Sequence, residues 1–347
     1  MKAATFADVG APLEIGSVPD PEPRSGELLI AVGNCGICGT DLHWTENRST
    51  DGGWRNLKSG AVLGHEFAGE VLEVGRDLKA RFKPGDSVCA LPFIGCGQCE
   101  ACLTGRIYRC QQADTRATPT LHGAYAELAR VGGAEAILLP TGVDHAAGAL
   151  VEPLAVGLAA VERARLVPSA SVLVMGAGPV GLAVALWSRF LGARNVVVSD
   201  MVSSRAERAA HFGATDYIDA STEVVKERLQ RDLAKAPDVV FECVGVPGTL
   251  GQAVEYVAND GVVVVAGLCM GADTFLPTVA LVKAIDIRFT MCYEKRHFEV
   301  IVDHLAAGRI DISKFVTDTV GFDTFADRFE SLKSAGSDIK VLLDPHR

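Results

Sequence analysis

The sequence predicts an α/β protein in two parts: a mostly β domain completed by the last residues of the chain, and a parallel sheet wrapped by helices. Three observations predict it. The chain has 347 residues, room for two domains at roughly 150 residues each. Its texture changes near residue 150, from short β-type runs broken by Gly and Pro to apolar strands alternating with helical stretches. A glycine turn, Gly176-Ala-Gly178-Pro179-Val180-Gly181, stands where the first of those strands meets the first of those helices.

Residues 1–150 carry the β-type runs Leu28–Val32, Phe67–Val74, Asp86–Leu91 and Ala124–Arg130. Across 151–290 the pattern becomes strand Val172–Met175 and helix Val180–Leu191, strand Val196–Ser199 and helix Ser203–Phe212, strand Val239–Cys243, helix Leu250–Ala258 and strand Val262–Ala266. That is a series of βαβ units, and its strands are continuous apolar runs because helices cover both faces of such a sheet. Phe275–Val282 and Ile285–Phe289 read as strand candidates for an edge where a second copy pairs. In 291–347, a helical His297–Ala307 and a last strand Ile339–Leu343 return to complete the first domain. No internal repeat or low-complexity tract is visible.

Composition narrows the function. With 48% hydrophobic and 22% charged residues the chain can bury two cores. A net charge of −10 repels polyanions, and no basic cluster offsets it, so nucleic acid is excluded as a partner. The opening residues lack the pattern of a signal peptide, and Gly, Pro or charge interrupts every long apolar run, so a cytoplasmic protein with no membrane segment is expected. In a reducing compartment the ten cysteines point to metal or catalysis rather than to disulfides.

The glycine turn suits a dinucleotide. Gly176 permits the tight turn, Gly178 lets the backbone approach a pyrophosphate, and Gly181 allows helix and strand to pack closely. Pro179 and Val180 open the helix, whose free N–H groups and dipole favour an anion. Asp200 ends the second strand nineteen residues after Gly181. A carboxylate there accepts hydrogen bonds from the adenosine ribose and repels a 2′-phosphate, so NAD is expected over NADP. Arg205, five residues on, flanks the adenosine or is a solvated helix charge.

Two clusters have metal-ligand character. Cys96, Cys99, Cys102 and Cys110 are spaced C-x2-C-x2-C-x7-C inside residues 95–111. Four thiolates around one zinc leave no open position, which makes a structural site. An iron–sulfur cluster is a rival because it takes the same ligands, and a zinc-ribbon nucleic-acid module is disfavoured by the acidic charge. The second cluster lies in Cys38-Gly39-Thr40-Asp41-Leu42-His43 and Gly64-His65-Glu66. A catalytic zinc needs three protein ligands and an exchangeable position, which Cys38, His65 and a carboxylate provide.

Those motifs, taken in order with the glycine turn, resemble the zinc-containing medium-chain alcohol dehydrogenases over nearly the whole chain. The resemblance implies a GroES-like catalytic domain, a Rossmann domain, two zinc ions per chain and homodimers or homotetramers. It implies Cys38 and His65 as ligands of the catalytic zinc, with Glu66 close to it. Glu152, in Leu150-Val-Glu152-Pro153, stands where the best-known members have a further cysteine, as in the polyol, butanediol and threonine dehydrogenase branches. Glu66 and Glu152 are therefore both candidate ligands. Asp41 is expected to orient a zinc-bound imidazole, Thr40 to hold the substrate hydroxyl, and His43 to take the released proton. Gly39 departs from the family, where a basic residue often follows the zinc cysteine and reaches the pyrophosphate. Faster cofactor release follows as an expectation.

The expected reaction is hydride transfer from a secondary alcohol or polyol to NAD. Oxidation of L-threonine or of a biosynthetic hydroxyl is the alternative, and a zinc- and dinucleotide-binding protein without turnover is the non-enzymatic one. Trp44, Trp54, Phe93 and His122 are substrate-pocket candidates that packing would explain as well.

Overall fold

A computed structural model describes residues 1–46, 57–116, 121–233, 235–334 and 336–347. The chain forms two compact units, Met1–Glu152 with Tyr293–Arg347, and Pro153–Cys292. It passes from one to the other inside the helix Val151–Ala164, two residues beyond the sequence boundary at 150.

In the first unit a seven-stranded sheet follows the order Ala136–Leu138, Ser87–Ala90, Glu66–Val74, Glu27–Gly36, Lys340–Leu343, Val316–Val320, with Leu128–Gly132 also paired to Glu27–Gly36. A three-stranded sheet joins Glu14–Ser17, Lys2–Phe6 and Ala61–Val62. Leu28, Ile30, Val71, Tyr125, Phe325 and Phe329 close the core around them. Tyr125 lies edge-on to Phe325, with ring centroids 4.9 Å apart, a favourable quadrupole geometry.

The antiparallel register of Glu27–Gly36 with Glu66–Val74 sets Gly36 opposite Glu66 and Cys35 opposite Phe67. Cys38 therefore leaves one strand at the same end of the sheet where His65 enters the other. The last strand lies beside them, Leu342 opposite Gly36 and Leu343 opposite Cys35. The chain, returning after the unit Pro153–Cys292, thus walls the end of the sheet that carries Cys38 and His65.

The second unit is a six-stranded parallel sheet. Its order is Asp216–Asp219, Asn195–Asp200, Ser171–Met175, Val239–Glu242, Val262–Val265, Asp286–Phe289. Counted along the chain this is third, second, first, fourth, fifth, sixth, the Rossmann arrangement, with the sequence reversing direction beside Ser171–Met175. Every residue of Ser171–Met175 is buried, as helices on both faces require. The helix Pro179–Phe190 is anchored by buried Trp187, whose Nε1 donates to the Leu154 carbonyl at 2.9 Å.

Several sequence expectations need correction. Phe275–Val282 is not a strand: Pro277–Lys283 is a helix with proline in its first turn, where the missing N–H costs nothing and the fixed φ suits the helix. Of the two runs, Asp286–Phe289 is the one that forms a sheet edge. Ala124–Arg130 begins as a loop, bound through Ala124 N–H to Gly64 O (2.9 Å) and Tyr125 N–H to Leu63 O (2.9 Å), and becomes a strand only from Leu128 to Gly132. Lys2–Phe6, Asp216–Asp219 and Val316–Val320 are strands that short or mixed patterning hid.

Candidate metal centre and dinucleotide loop

Cys38 caps the start of the helix Gly39–Glu46, and its carbonyl accepts from Asp41 N–H at 3.1 Å and Leu42 N–H at 3.3 Å. His65 and Glu66 stand opposite it through the strand register. Gly64 makes the approach possible: its φ is +95°, and a Cβ there would meet the Tyr125 ring at 2.6 Å. One ligand atom each from Cys38, His65 and Glu66 falls within 4.8 Å of the others. Glu152 does not join that group. It is buried, and Tyr293 Oη donates to its Oε1 at 2.6 Å.

His65 and Glu66 each have a buried partner. Asp41, 0% exposed, places Oδ1 3.2 Å from His65 Nδ1. Tyr125 Oη donates to the other Asp41 oxygen and to the Gly36 carbonyl at 3.2 Å. With Nδ1 so engaged, Nε2 is the imidazole nitrogen left to meet another partner. Glu66, 1% exposed, is met by the Lys340 ammonium, with Nζ 2.7 Å from Oε1 and 2.6 Å from Oε2. Oε2 is buried, and its contact with the ammonium is an ion pair rather than a well-aligned hydrogen bond.

The electrostatics follow from burial and charge. Burial works to lower the His65 pKa, but Asp41 and Cys38 outweigh it and hold the imidazole well above its ordinary value. Burial also works to lower Lys340, which Glu66 and then Cys38 return to above the lysine range. Burial pushes Glu152 up to about 7, against the attraction of His65. Tyr125 is raised by burial and then by Asp41. A thiol, an imidazole and a carboxylate converging within 4.8 Å is a donor set that fits zinc.

The four cysteines converge as well, with all sulfurs within 4.8 Å of one another, Cys99–Cys102 at 3.6 Å and Cys96–Cys102 at 3.9 Å. The short helix Glu100–Leu103 and the turn Ile107–Arg109 bring them round. Backbone N–H groups of Gln98 and Cys99 draw the Cys96 thiol down to about 6, while burial pushes Cys102 up to about 12. Crowded sulfurs of this kind cannot all ionise without a cation to share their charge, so the lobe also fits a metal. Glu135 ties it to the sheet by accepting from Gly95 N–H at 3.0 Å.

In the second unit Gly176 has φ +96° and donates its N–H to Ser199 O at 2.7 Å. A Cβ on Gly178 would meet nothing within 4 Å, whereas one on Gly181 would meet the Gly176 carbonyl at 1.8 Å. Gly178 therefore faces open space, and Gly181 is where helix and turn touch. Pro179 and Val180 form the first turn of the helix, whose cap, Gly178, offers no side-chain bond, so its N–H groups are open to an anion. Asp200 Oδ2 accepts from Ala177 N–H at 2.6 Å and from Arg205 at 3.1 Å, and Oδ1 accepts from Val202 N–H at 2.9 Å.

Thr40 and His43 lie on the helix behind Cys38, one turn apart and partly buried. Of the pocket candidates, Trp44 sits 6.4 Å from the His65 ring. Phe93 stacks on Tyr293 at 6.4 Å. His122 accepts from Arg116 through its carbonyl at 2.7 Å. Trp54 lies outside the described residues. Tyr125, Tyr293 and Lys340 were missed by sequence reasoning. Lys340 had a signal, a single charge inside the apolar run Ile339-Lys340-Val341-Leu342-Leu343, and it is 1% exposed. Such a charge is buried only with a partner.

A Rossmann sheet with an open glycine turn, in one chain with a thiolate–imidazole–carboxylate centre and a four-thiolate lobe, defines a metal-dependent, dinucleotide-linked dehydrogenase. Comparison with known proteins agrees. Residues 24–141 match the alcohol dehydrogenase GroES-like domain, and residues 179–307 the zinc-binding dehydrogenase domain. The chain is 32% identical over 355 residues to a sorbitol dehydrogenase of Bacillus subtilis, covering 100% of this chain and 98% of that one. Among solved structures it is similar to the 2R,3R-butanediol dehydrogenase of Bacillus subtilis (TM-score 0.86, 27% identity, 99% of each chain). It is also similar to a candidate zinc-binding dehydrogenase of Sinorhizobium meliloti bound to NADP (TM-score 0.88, 29% identity, 99% of each chain). The chain belongs to the zinc-containing medium-chain alcohol dehydrogenases, in their polyol-dehydrogenase branch. It is an oxidoreductase that uses zinc and a nicotinamide dinucleotide.

Proposed function

We propose that the chain oxidises a secondary hydroxyl of a polyol or related alcohol to a ketone with NAD, using one catalytic and one structural zinc. The observation that carries the reading is the convergence of Cys38, His65 and Glu66 within 4.8 Å at one end of a sheet, with Asp41 and Lys340 buried behind them. Sorbitol and butanediol in the names of similar proteins support the substrate class.

Cys38, His65 and Glu66 hold the catalytic zinc, and Glu152, engaged by Tyr293, stands outside the ligand set. A zinc ion there supplies Lewis acidity toward an alcohol oxygen, and the nicotinamide accepts the hydride. Asp41 keeps His65 in the ligating tautomer. Thr40 orients the substrate hydroxyl, and His43, on the same face of the helix, carries the proton outward. Cys96, Cys99, Cys102 and Cys110 hold the second zinc in a closed site.

Gly176, Gly178, Pro179, Val180 and Gly181 cradle the pyrophosphate. Asp200 reads the adenosine ribose, since an ionised carboxylate has about four lone-pair sites and its local bonds leave some free. That supports NAD over NADP, with Arg205 engaged by Asp200 rather than waiting for a phosphate. A homodimer or homotetramer is supported by the strand Asp286–Phe289, which ends the sheet, and by Leu281 at 78%, Val282 at 83% and Phe289 at 64% exposure. Among the described residues no helix is long and apolar enough to cross a membrane.

The test is metal content by mass spectrometry together with NAD reduction on a panel of polyols, butanediols and L-threonine, before and after chelation. Two zincs per chain, with polyol turnover lost as one is removed, is the expected result. Turnover that survives complete metal removal overturns the reading.

A further inference from the structure

We infer that Lys340 is a positioning residue of the catalytic metal centre: its buried ammonium holds the two ligand-bearing segments at the spacing a metal requires. The inference rests on Cys38, His65 and Glu66 being the metal ligands.

Lys340 touches both segments at once. Its Nζ donates to the Ile37 carbonyl at 2.8 Å, one residue before Cys38, and to Glu66 Oε1 at 2.7 Å, one residue after His65. The backbone of the same strand adds a third tie, with Ile37 N–H donating to the Val341 carbonyl at 2.9 Å. Space has been left for the contact: a Cβ on Gly36 would lie 2.1 Å from Glu66 Oε2 and 3.1 Å from Lys340 Cδ. The ammonium therefore adds a side-chain tie where the backbone pairing of the two strands ends, at Gly36 and Glu66, and it comes from residue 340, far along the chain from both.

A stability role explains this poorly. A buried Lys–Glu pair pays for desolvation with most of its Coulomb gain, and apolar side chains of similar volume often do as well. The geometry suits a different task. Nζ lies against both Glu66 oxygens, 2.7 Å from Oε1 and 2.6 Å from Oε2, and this clamped carboxylate is the one that has an oxygen within 4.8 Å of Cys38 and His65 ligand atoms. The ammonium fixes the orientation of the carboxylate as a whole. The positive charge also offsets the mutual repulsion of Glu66, Asp41 and a Cys38 thiolate, which would otherwise drive the segments apart.

The experiment measures zinc affinity by chelator competition, and the absorption spectrum of the cobalt-substituted full-length protein, in wild type and Lys340→Met. Circular dichroism and thermal unfolding report the fold. Wild type is expected to bind two metals. Lys340→Met keeps the metal of the four-cysteine lobe and binds the other about 10- to 100-fold more weakly, the range typical for partners of metal ligands. Its cobalt–thiolate bands shift as Cys38 and Glu66 lose their fixed separation. Folded Lys340→Met with unchanged affinity and spectrum overturns the inference and leaves the metal centre standing. If Lys340→Met does not fold, Lys340→Gln, which keeps a donor but not the charge, takes its place: weaker binding with shifted bands supports the inference, and unchanged affinity and spectrum overturn it. Wild type that binds metal only at the four cysteines overturns the centre itself, and the inference with it.

Discussion

At the scale of single residues, the two inner glycines of the nucleotide turn have opposite physical reasons. Gly178 has ordinary φ −75° and open space where a Cβ would stand. Gly178→Ala is therefore expected to fold with an unchanged melting temperature, while dinucleotide affinity, measured by fluorescence titration, falls at least about tenfold as the methyl meets the pyrophosphate. Gly181→Ala drives its methyl into the Gly176 carbonyl, and overpacking of about 1–3 kcal/mol is expected in a denaturant titration even without cofactor. If both variants unfold alike, Gly178 is a folding glycine and not a binding one. Asp200→Ser tests the ribose contact: loss of a charge-assisted bond worth about 1.5–3 kcal/mol lowers kcat/KM with NAD by tenfold or more and relieves the repulsion of NADP. An unchanged NAD-to-NADP ratio refutes the assignment. His145 gives a pH dependence. Burial lowers its pKa below 6.5, so the folded state binds fewer protons than the unfolded state as pH falls through that value. Stability is present above pH 6.5 and is lost below it. His145→Gln, which keeps a partner for Ser87 (3.1 Å away), is expected to shrink the drop in melting temperature between pH 7.5 and pH 5, taken about one unit either side of the ordinary histidine value.

At the scale of elements, the four-cysteine lobe is the part whose structure is expected to depend on an ion. Its helix Glu100–Leu103 has only four residues, too short to persist alone, and the short strand pair Phe93–Ile94 with Asp114–Thr115 closes its base. Cys102→Ser is expected to remove one zinc per chain and to raise hydrogen exchange across residues 95–111, while the seven-stranded sheet stays protected. Exchange unchanged in that segment would show that the lobe holds itself. Legibility of elements followed length and context. Val172–Met175 and Val180–Leu191 were visible because a strand buried on both faces and a long apolar helix leave strong patterns. Pro277–Lys283 was misread because an apolar run of seven residues fits either period, and the deciding proline lies at its first position. Val316–Val320, with its polar Thr317, Asp318 and Thr319, is a strand only because Lys340–Leu343 lies alongside.

At the scale of the whole molecule, the open edge of the parallel sheet carries a prediction about assembly. Among the described residues Asp286–Phe289 has a neighbour only on the side of Val262–Val265, and Phe289 within it and Leu281 just before it are exposed. Phe289→Lys is expected to shift the mass measured by light scattering toward the monomer, since a charge on an edge strand disfavours pairing. A wild-type protein that is monomeric removes the basis for the pairing. The sequence by itself determined the two-part α/β plan, the glycine turn with Asp200, the grouping of the four cysteines, and Cys38, His65 and Glu66 as candidate ligands. These are local patterns: spacing within a turn, a lobe or a strand end is written along the chain. Only the tertiary structure shows which carboxylate lies within 4.8 Å of Cys38 and His65. Glu66 and Glu152 are equivalent as letters, and the choice falls to the strand register that sets Gly36 against Glu66 and to Tyr293, which engages Glu152. It likewise decided that Lys340 and Tyr125 stand behind the centre, because burial of a charge beside its partner is a property of strands packed side by side, and residues 274 apart in the chain carry no mark of becoming neighbours.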